Sequence, residues 1–181
     1  METERLILRQ FERTDREACF ENFGQDAEIG RYIPIFPVHT LQEMESVLQP
    51  FYDNQNIRVI IEKATGSPIG YVTADIPYES LGIAEIGYVL GSRFQHKGYA
   101  EEAVRRIIQY LFAEKGLYLI EAKVNEQNTA SVRFLERLGF QREASLRGRR
   151  VDFASGVRNN LLIYSVLAEE YLSRTQKGAW M

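Results

Sequence analysis

Hydrophobic and polar positions along this chain repeat with two periods, and the switches between them mark the elements. Glu4 to Arg9 (ERLILR) alternates as an edge strand does. A helix is expected from Thr14 to Phe23, with Thr14 as N-cap and Glu17 at the capping-box spacing. Asp26 to Tyr32 predicts a further helical turn, and the two prolines of IPIFP then enforce an irregular segment. Thr40 caps a second helix, LQEMESVLQPFYDNQ, which Pro50 kinks or interrupts. Ile57–Lys63 and Ile69–Asp75 are strands joined by the turn ATGSP, and Ile83–Leu90 continues the meander.

From Gly98 to Lys115 the period changes to that of a helix. Ala100, Ala103, Val104, Ile107, Ile108, Leu111 and Phe112 form one apolar stripe, and Gly116 ends it. Tyr118–Val124 is a strand, and NEQNTASVRFLERLGF leads through a loop into a helix that stops at Gly139. Phe140–Leu146 and Asn160–Leu167 read as a final antiparallel pair, with a short helix or tail from Ala168 to Ser173. This order predicts a mixed α/β fold whose sheet is mostly antiparallel. The strands flanking the Gly98 helix should be parallel neighbours.

The stretch from Ala84 to Ala103 carries the chemistry. A buried strand delivers a short basic turn onto a helix N-terminus, where free backbone N–H groups and the helix dipole suit an anion, usually a phosphate. Gln95, Gly98 and Ala100 fit [Gln/Arg]-x-x-Gly-x-[Gly/Ala]; their small residues let a diphosphate approach the backbone.

Composition narrows the class. With 181 residues, 45% hydrophobic and 26% charged, one globular domain over 1–181 is expected. A net charge of −3 argues against a general nucleic-acid or membrane-surface binder. No apolar run spans a bilayer and METERLILRQ has no signal-peptide core, so a cytoplasmic location is expected. One cysteine, Cys19, allows no internal disulfide, and with only His39 and His96 beside it no metal site is expected.

With that order in view, the chain resembles the GCN5-related N-acetyltransferase (GNAT) superfamily, specifically its branch of ribosomal-protein N-terminal acetyltransferases. TERLILR resembles the opening strand. EIGYVL followed by FQHKGYAEEA resembles strand four and the acetyl-CoA pyrophosphate loop. NEQNTASVRFLERLGF resembles the Asn-x-x-Ser segment that ends in Gly-Phe. The resemblance implies a central sheet splayed between strands four and five, with the pantetheine arm of acetyl-CoA in the gap. Tyr88, Val89 and Leu90 would supply the parting edge, and Gln95, His96, Lys97, Gly98, Tyr99 and Ala100 would cradle the diphosphate. Asn128 has two roles open to it, ligand contact and helix N-cap. Ser131 is expected near the thioester sulfur.

Acetyl transfer to an amine needs a neutral amine, a stabilised carbonyl oxygen and a proton for the departing thiolate. Many family members use a tyrosine seven residues after the asparagine. That position is Leu135 here, which leaves Ser131 as the candidate acid. Glu85 is the candidate base, with a water relay or an ion-pair role as alternatives. An α-amine with pKa near ~8 is about one-tenth neutral at pH 7, whereas a lysine near ~10.4 is well under 1% neutral. That tilts the expected acceptor toward a protein N-terminal α-amine. A small-molecule amine (polyamine, amino acid or antibiotic) and a silent CoA-binding module are the alternatives. Tyr32, Ile33, Ile35 and Phe36 are candidate pocket lining, and the protein is expected to be a monomer or homodimer. Arg147, Arg149, Arg150 and Arg158 cluster around a hairpin loop; a solvated loop or an acidic-substrate rim explains them better than nucleic acid does.

Overall fold

A computed structural model describes residues 1–176. Seven strands form one sheet in the order β1-β2-β3-β4-β5-β7-β6. They are β1 (Leu6–Arg9), β2 (Ile57–Glu62), β3 (Ser67–Tyr78), β4 (Ile83–Leu90), β5 (Leu119–Asn125), β6 (Gln141–Val151) and β7 (Arg158–Leu167). All neighbours are antiparallel except β4 and β5, the parallel pair bridged by a crossover helix. This is the mixed, mostly antiparallel sheet expected from the element order.

Alternation along the strands gives the sheet two apolar faces, each covered by helices. One face packs against α4 (Tyr99–Gln109) and α5 (Thr129–Arg137). Val104, Ile107 and Ile108 of α4 are almost fully buried there. Each contributes about 1.5–3 kcal/mol of burial. The other face packs against α1 (Arg16–Cys19), α2 (Ala27–Gly30) and α3 (Leu41–Tyr52), with Cys19, Met44 and Leu48 in its core. The final helix α6 (Ala168–Gln176) follows β7 directly. β4 serves both faces: Ala84, Ile86 and Leu90 join the first core, and Val89 joins the second.

Several local expectations are corrected. The first helical segment starts at Arg13 with Glu12, not Thr14, as its N-cap, and Asp15 closes the capping box. The Asp15 carboxylate accepts from the Glu12 N–H at 2.8 Å and is gripped by both Arg9 Nη atoms at 2.7 and 2.6 Å. That segment ends in a π-helical turn over Phe20–Gly24. Thr40 does cap α3, accepting from the Glu43 N–H at 3.1 Å, but Pro50 sits inside the last turn without ending the helix. β6 runs five residues beyond the expected Leu146, to Val151, because a bulge between Leu146 and Arg150 carries the ladder past Gly148. α6 extends past Ser173.

Candidate active site

The parallel pairing of β4 with β5 runs from Ile83–Leu119 to Ile86–Ala122 and stops. Beyond it β4 stays with β3 as far as Leu90, while β5 stays with β7 as far as Asn125. The sheet is therefore split at its centre. The Gly91 N–H donates to the Ile69 carbonyl at 3.0 Å, which fixes the alternation of the β3–β4 ladder. Gly87 and Val89 exchange bonds with β3. Tyr88 and Leu90 turn their peptide groups toward the side that β5 has left. The Leu90 carbonyl accepts from Gln95 Nε2 at 3.1 Å.

Cavities open on both sides of this split. On the α4–α5 side lies one of about 440 Å³, lined by Tyr88, Leu90, Gln95, His96, Gly98, Tyr99, Ala100, Asn128 and Ser131, among others. A second, of about 320 Å³, reaches the opposite side through Tyr88, Asn128 and Ser131 to Tyr32, Tyr71, Asn125 and Arg150. A third, of about 340 Å³, lies beside α2 and includes Val89 and Gln95. Eight of the ten residues expected to hold the cofactor thus line the first cavity. Val89 lies in the second and third instead. Lys97 lines none of the three: its carbonyl accepts from Arg5 Nη1 at 2.8 Å and its ammonium sits over the Phe94 ring.

The loop into α4 is shaped for an anion. His96 and Gly98 both have positive φ, 61° and 82°, so the chain turns sharply there. The first intrahelical bond is from the Glu102 N–H to the Gly98 carbonyl at 3.0 Å. The N–H groups of Tyr99, Ala100 and Glu101 therefore have no partner within the helix. Two acids in this first turn would oppose an anion, and each is neutralised. Glu101 pairs with Arg105 at 2.6 Å, and Glu102 with Arg5 at 2.6 Å. Burial pushes the Glu102 carboxyl up, but hydrogen bonds from Thr3 and Arg5 outweigh it and hold the group below the usual carboxylate range. Arg5 also lies over the Tyr99 ring, whose hydroxyl donates to Glu62 at 2.5 Å. β1 and β2 thus clamp the loop.

Arg133 and Arg137 on α5 add positive charge to the same cavity. The sequence reading missed them. Their i, i+4 spacing on the helix that Asn128 opens was the available signal.

Asn128 is the N-cap of α5, its Oδ1 accepting from the Ser131 N–H at 3.1 Å, and it lines all three cavities. The Ser131 hydroxyl lies 2.5 Å from that of Tyr88, at the junction of the first two cavities. The resemblance implies only a backbone role for Tyr88, as part of the parting edge. Its ring packs edge-on against Phe134 at 4.8 Å, and burial pushes its hydroxyl far above the ordinary phenol value, the Ser131 bond opposing this. Glu85 lies outside the split. Its carboxylate holds Lys123 Nζ at 2.6 Å, and that bond, with a second from Glu121 at 3.2 Å, raises the lysine. Leu135 is buried in the core. Of the expected acceptor lining, Tyr32 and Ile33 face the second cavity; Phe36 is buried in the core and Ile35 is 45% exposed. Arg147, Arg149 and Arg158 lie on the β6–β7 hairpin, and of that cluster Arg150 lines the second cavity. Among the described residues no group of three or more His, Cys, Asp or Glu is placed to hold a metal, and no helix is long and apolar enough to cross a membrane.

Comparison with known proteins gives this geometry its context. An uncharacterized N-acetyltransferase, p20, from Bacillus licheniformis is 35% identical over 93% of this chain and 96% of its own. A spermidine N(1)-acetyltransferase from Vibrio cholerae is 27% identical over 94% of this chain and 98% of its own. A putative ribosomal N-acetyltransferase from Bacillus subtilis is 33% identical over 49% and 47%. Among solved structures, a GNAT acetyltransferase from Bacillus anthracis superposes with TM-score 0.82 at 27% identity, covering 94% of this chain and 99% of that one. The Vibrio cholerae spermidine N-acetyltransferase in complex with CoA and spermine gives 0.77 at 23%, covering 94% and 99%. The family model for the acetyltransferase (GNAT) domain matches residues 5–141, and the chain belongs to that family.

Proposed function

We propose that this protein is an acetyl-CoA-dependent N-acetyltransferase acting on a small-molecule primary amine. The observation that carries the reading is the split between β4 and β5, which joins an anion-suited cavity to a second chamber at the Tyr88–Ser131 contact. Acetyl-CoA supplies the activated acetyl thioester. The Tyr99, Ala100 and Glu101 amides, with Arg133 and Arg137, would hold its diphosphate. Tyr88 and Leu90 would pair with the pantetheine amides as a strand would. Asn128 would contact that arm while it caps α5.

The Tyr88 N–H, the first beyond the last β4–β5 pair on the open side, would polarise the acetyl carbonyl. The Tyr88 hydroxyl, oriented by Ser131, would donate the proton that the departing sulfur takes. The amine would lose its proton to water. Glu85 would then act through Lys123, fixing the ammonium at the chamber wall.

The acceptor expected from sequence, a protein N-terminus, becomes the second reading. The spermidine acetyltransferase aligns over nearly the whole chain, whereas the ribosomal relative aligns over half of it. What still favours an N-terminal amine is its lower pKa, which leaves more of it neutral at pH 7.

Thiol release from acetyl-CoA tests both. The acceptors are free amino acids, spermidine, a peptide with a free α-amine, and the same peptide N-blocked but carrying lysine. Faster turnover of small amines, abolished in Asn128→Ala, is expected. Turnover of the free α-amine peptide alone would move the assignment to protein N-termini. Bound acetyl-CoA without thiol release on any amine would sink the transferase reading.

A further inference from the structure

The second chamber has a one-sided polar lining. Among the described residues no Asp, Glu or His side chain lines it, and two cations do, Lys123 and Arg150. Lys123 is balanced by Glu85 and Glu121. Arg150 has no ion-pair partner among the described residues. The nearby acid on its own strand's extension, Asp152, is committed elsewhere. Arg31 holds it at 2.6 Å, and the Ala154 and Ser155 N–H groups donate to it. Glu28 lies in the third cavity only.

The backbone around Arg150 is built to present it. The β6–β7 ladder passes from Leu146–Leu161 to Arg150–Asn159, so β6 carries two extra residues there. Gly148 takes a φ of 64° in that bulge, and its N–H donates to Asn160 Oδ1 at 3.1 Å. Bulges of this kind re-aim a side chain beside a site. The Phe153 N–H donates to the Arg31 carbonyl at 2.9 Å, which ties the end of the arm to the segment after α2.

One residue lining the chamber holds a buried polar atom without a partner. Asn125 is 5% exposed; its Oδ1 accepts from the Gln127 N–H, while Nδ2 is buried without a partner. Tyr71 is 5% exposed, and its hydroxyl has no hydrogen bond among the described residues. A buried donor left unsatisfied costs about 1–3 kcal/mol.

Resting on the acetyltransferase reading above, we infer that the acceptor carries a carboxylate beside its primary amine, as an amino acid does, and that Arg150 receives that carboxylate. A chamber with donors and an uncompensated cation, and with no acid on its wall, suits an amino-carboxylate. It disfavours a polyamine, whose several positive charges would find like charge and no partner.

The test uses matched pairs that differ only in the carboxylate: leucine with 3-methylbutylamine, and lysine with cadaverine, with spermidine alongside. Thiol release gives kcat/KM for each. With kcat/KM expressed per neutral amine, since the carboxylate also lowers the amine's pKa, the amino acid should exceed its matched amine by about tenfold or more, because the site's donors are left unpaired by the amine. Arg150→Ala should lower kcat/KM for the amino acids about 10- to 100-fold and bring the ratio toward one. Arg150→Lys should restore part of it. Because Arg150 is exposed, neither change should disturb folding. Matched amines or spermidine turned over as well as the amino acids would overturn the inference. So would equal losses across each pair in Arg150→Ala.

Calorimetry with CoA present provides a second readout, comparing N-acetyl-leucine with N-(3-methylbutyl)acetamide. If no amine releases thiol, the transferase reading fails by itself. Preferential binding of the acetylated amino acid would then uphold the carboxylate site, and equal binding would remove it.

Discussion

Tyr88→Phe separates the proposed proton donor from everything else that Tyr88 does. The substitution removes one hydroxyl and keeps the ring, so the edge-on packing on Phe134 at 4.8 Å survives. The backbone groups that face the split survive as well. What is lost is the 2.5 Å contact with Ser131 and the only hydroxyl that reaches the junction from β4. A neutral hydrogen bond contributes about 0.5–1.5 kcal/mol net, so stability should change by about 1.5 kcal/mol at most. The catalytic cost is larger. A positioned acid contributes about 10²–10⁴ in rate, so kcat should fall about 100-fold or more, a barrier rise of about 2.7 kcal/mol. KM for acetyl-CoA should stay within about threefold. Ser131→Ala leaves the donor and loses only its orientation, so a smaller loss of about tenfold is expected. Steady-state thiol release at saturating amine, with single-turnover acetyl transfer as a check on product release, measures both. Burial keeps the Tyr88 hydroxyl protonated well past the ordinary value, so no loss of kcat from this group should occur below about pH 10. A Tyr88→Phe enzyme that keeps kcat within about threefold would refute the assignment and leave solvent as the proton source.

Two further outcomes follow from the same geometry. Gly98→Ala places a side chain at φ 82°, with its Cβ 3.2 Å from an Arg5 Nη atom. The left-handed conformation costs about 1–2 kcal/mol, so the melting temperature should drop by roughly 2–8 °C and KM for acetyl-CoA should rise, while an unchanged KM would show that the loop does not hold the cofactor. Burial also raises the hydroxyls of Tyr71 and Tyr88 above their unfolded value near ~10. Unfolded tyrosines ionise first, so this stability is intact below about pH 10 and is lost as pH rises further, by about 1.4 kcal/mol per pH unit for each group. Denaturation at several pH values above 10 should give a shallower fall for Tyr71→Phe than for wild type, and equal slopes would contradict the burial argument.

How legible the site was from sequence depends on how local each part is. Gln95 to Ala100 sit on one short loop whose proposed function would be carried by backbone N–H groups, so a pattern of small residues before a helix points to it. Asn128 and Ser131 share one helical turn and are legible for the same reason. The partner of the Ser131 hydroxyl is not: Tyr88 lies 43 positions away, and only the packing of α5 on β4 brings the two hydroxyls together. Local spacing made Leu135 look like a missing tyrosine. The structure supplies a tyrosine hydroxyl from the opposite wall, on a residue that sequence reasoning valued only for its backbone. Glu85 is the converse case, since an ion pair was among its open roles but nothing local named Lys123 as the partner across the strand pair. The clamp of Arg5 on Glu102 spans 97 positions and was invisible. The second chamber is the extreme case. Tyr32, Tyr71, Asn125 and Arg150 come from four separate segments, and no pair of them is close in the chain. A cofactor that every member of a family shares can be held by one contiguous loop. An acceptor that differs among relatives, spermidine in one of them, is met by side chains gathered from across the fold, and there the charge balance of the chamber carries the information that spacing cannot.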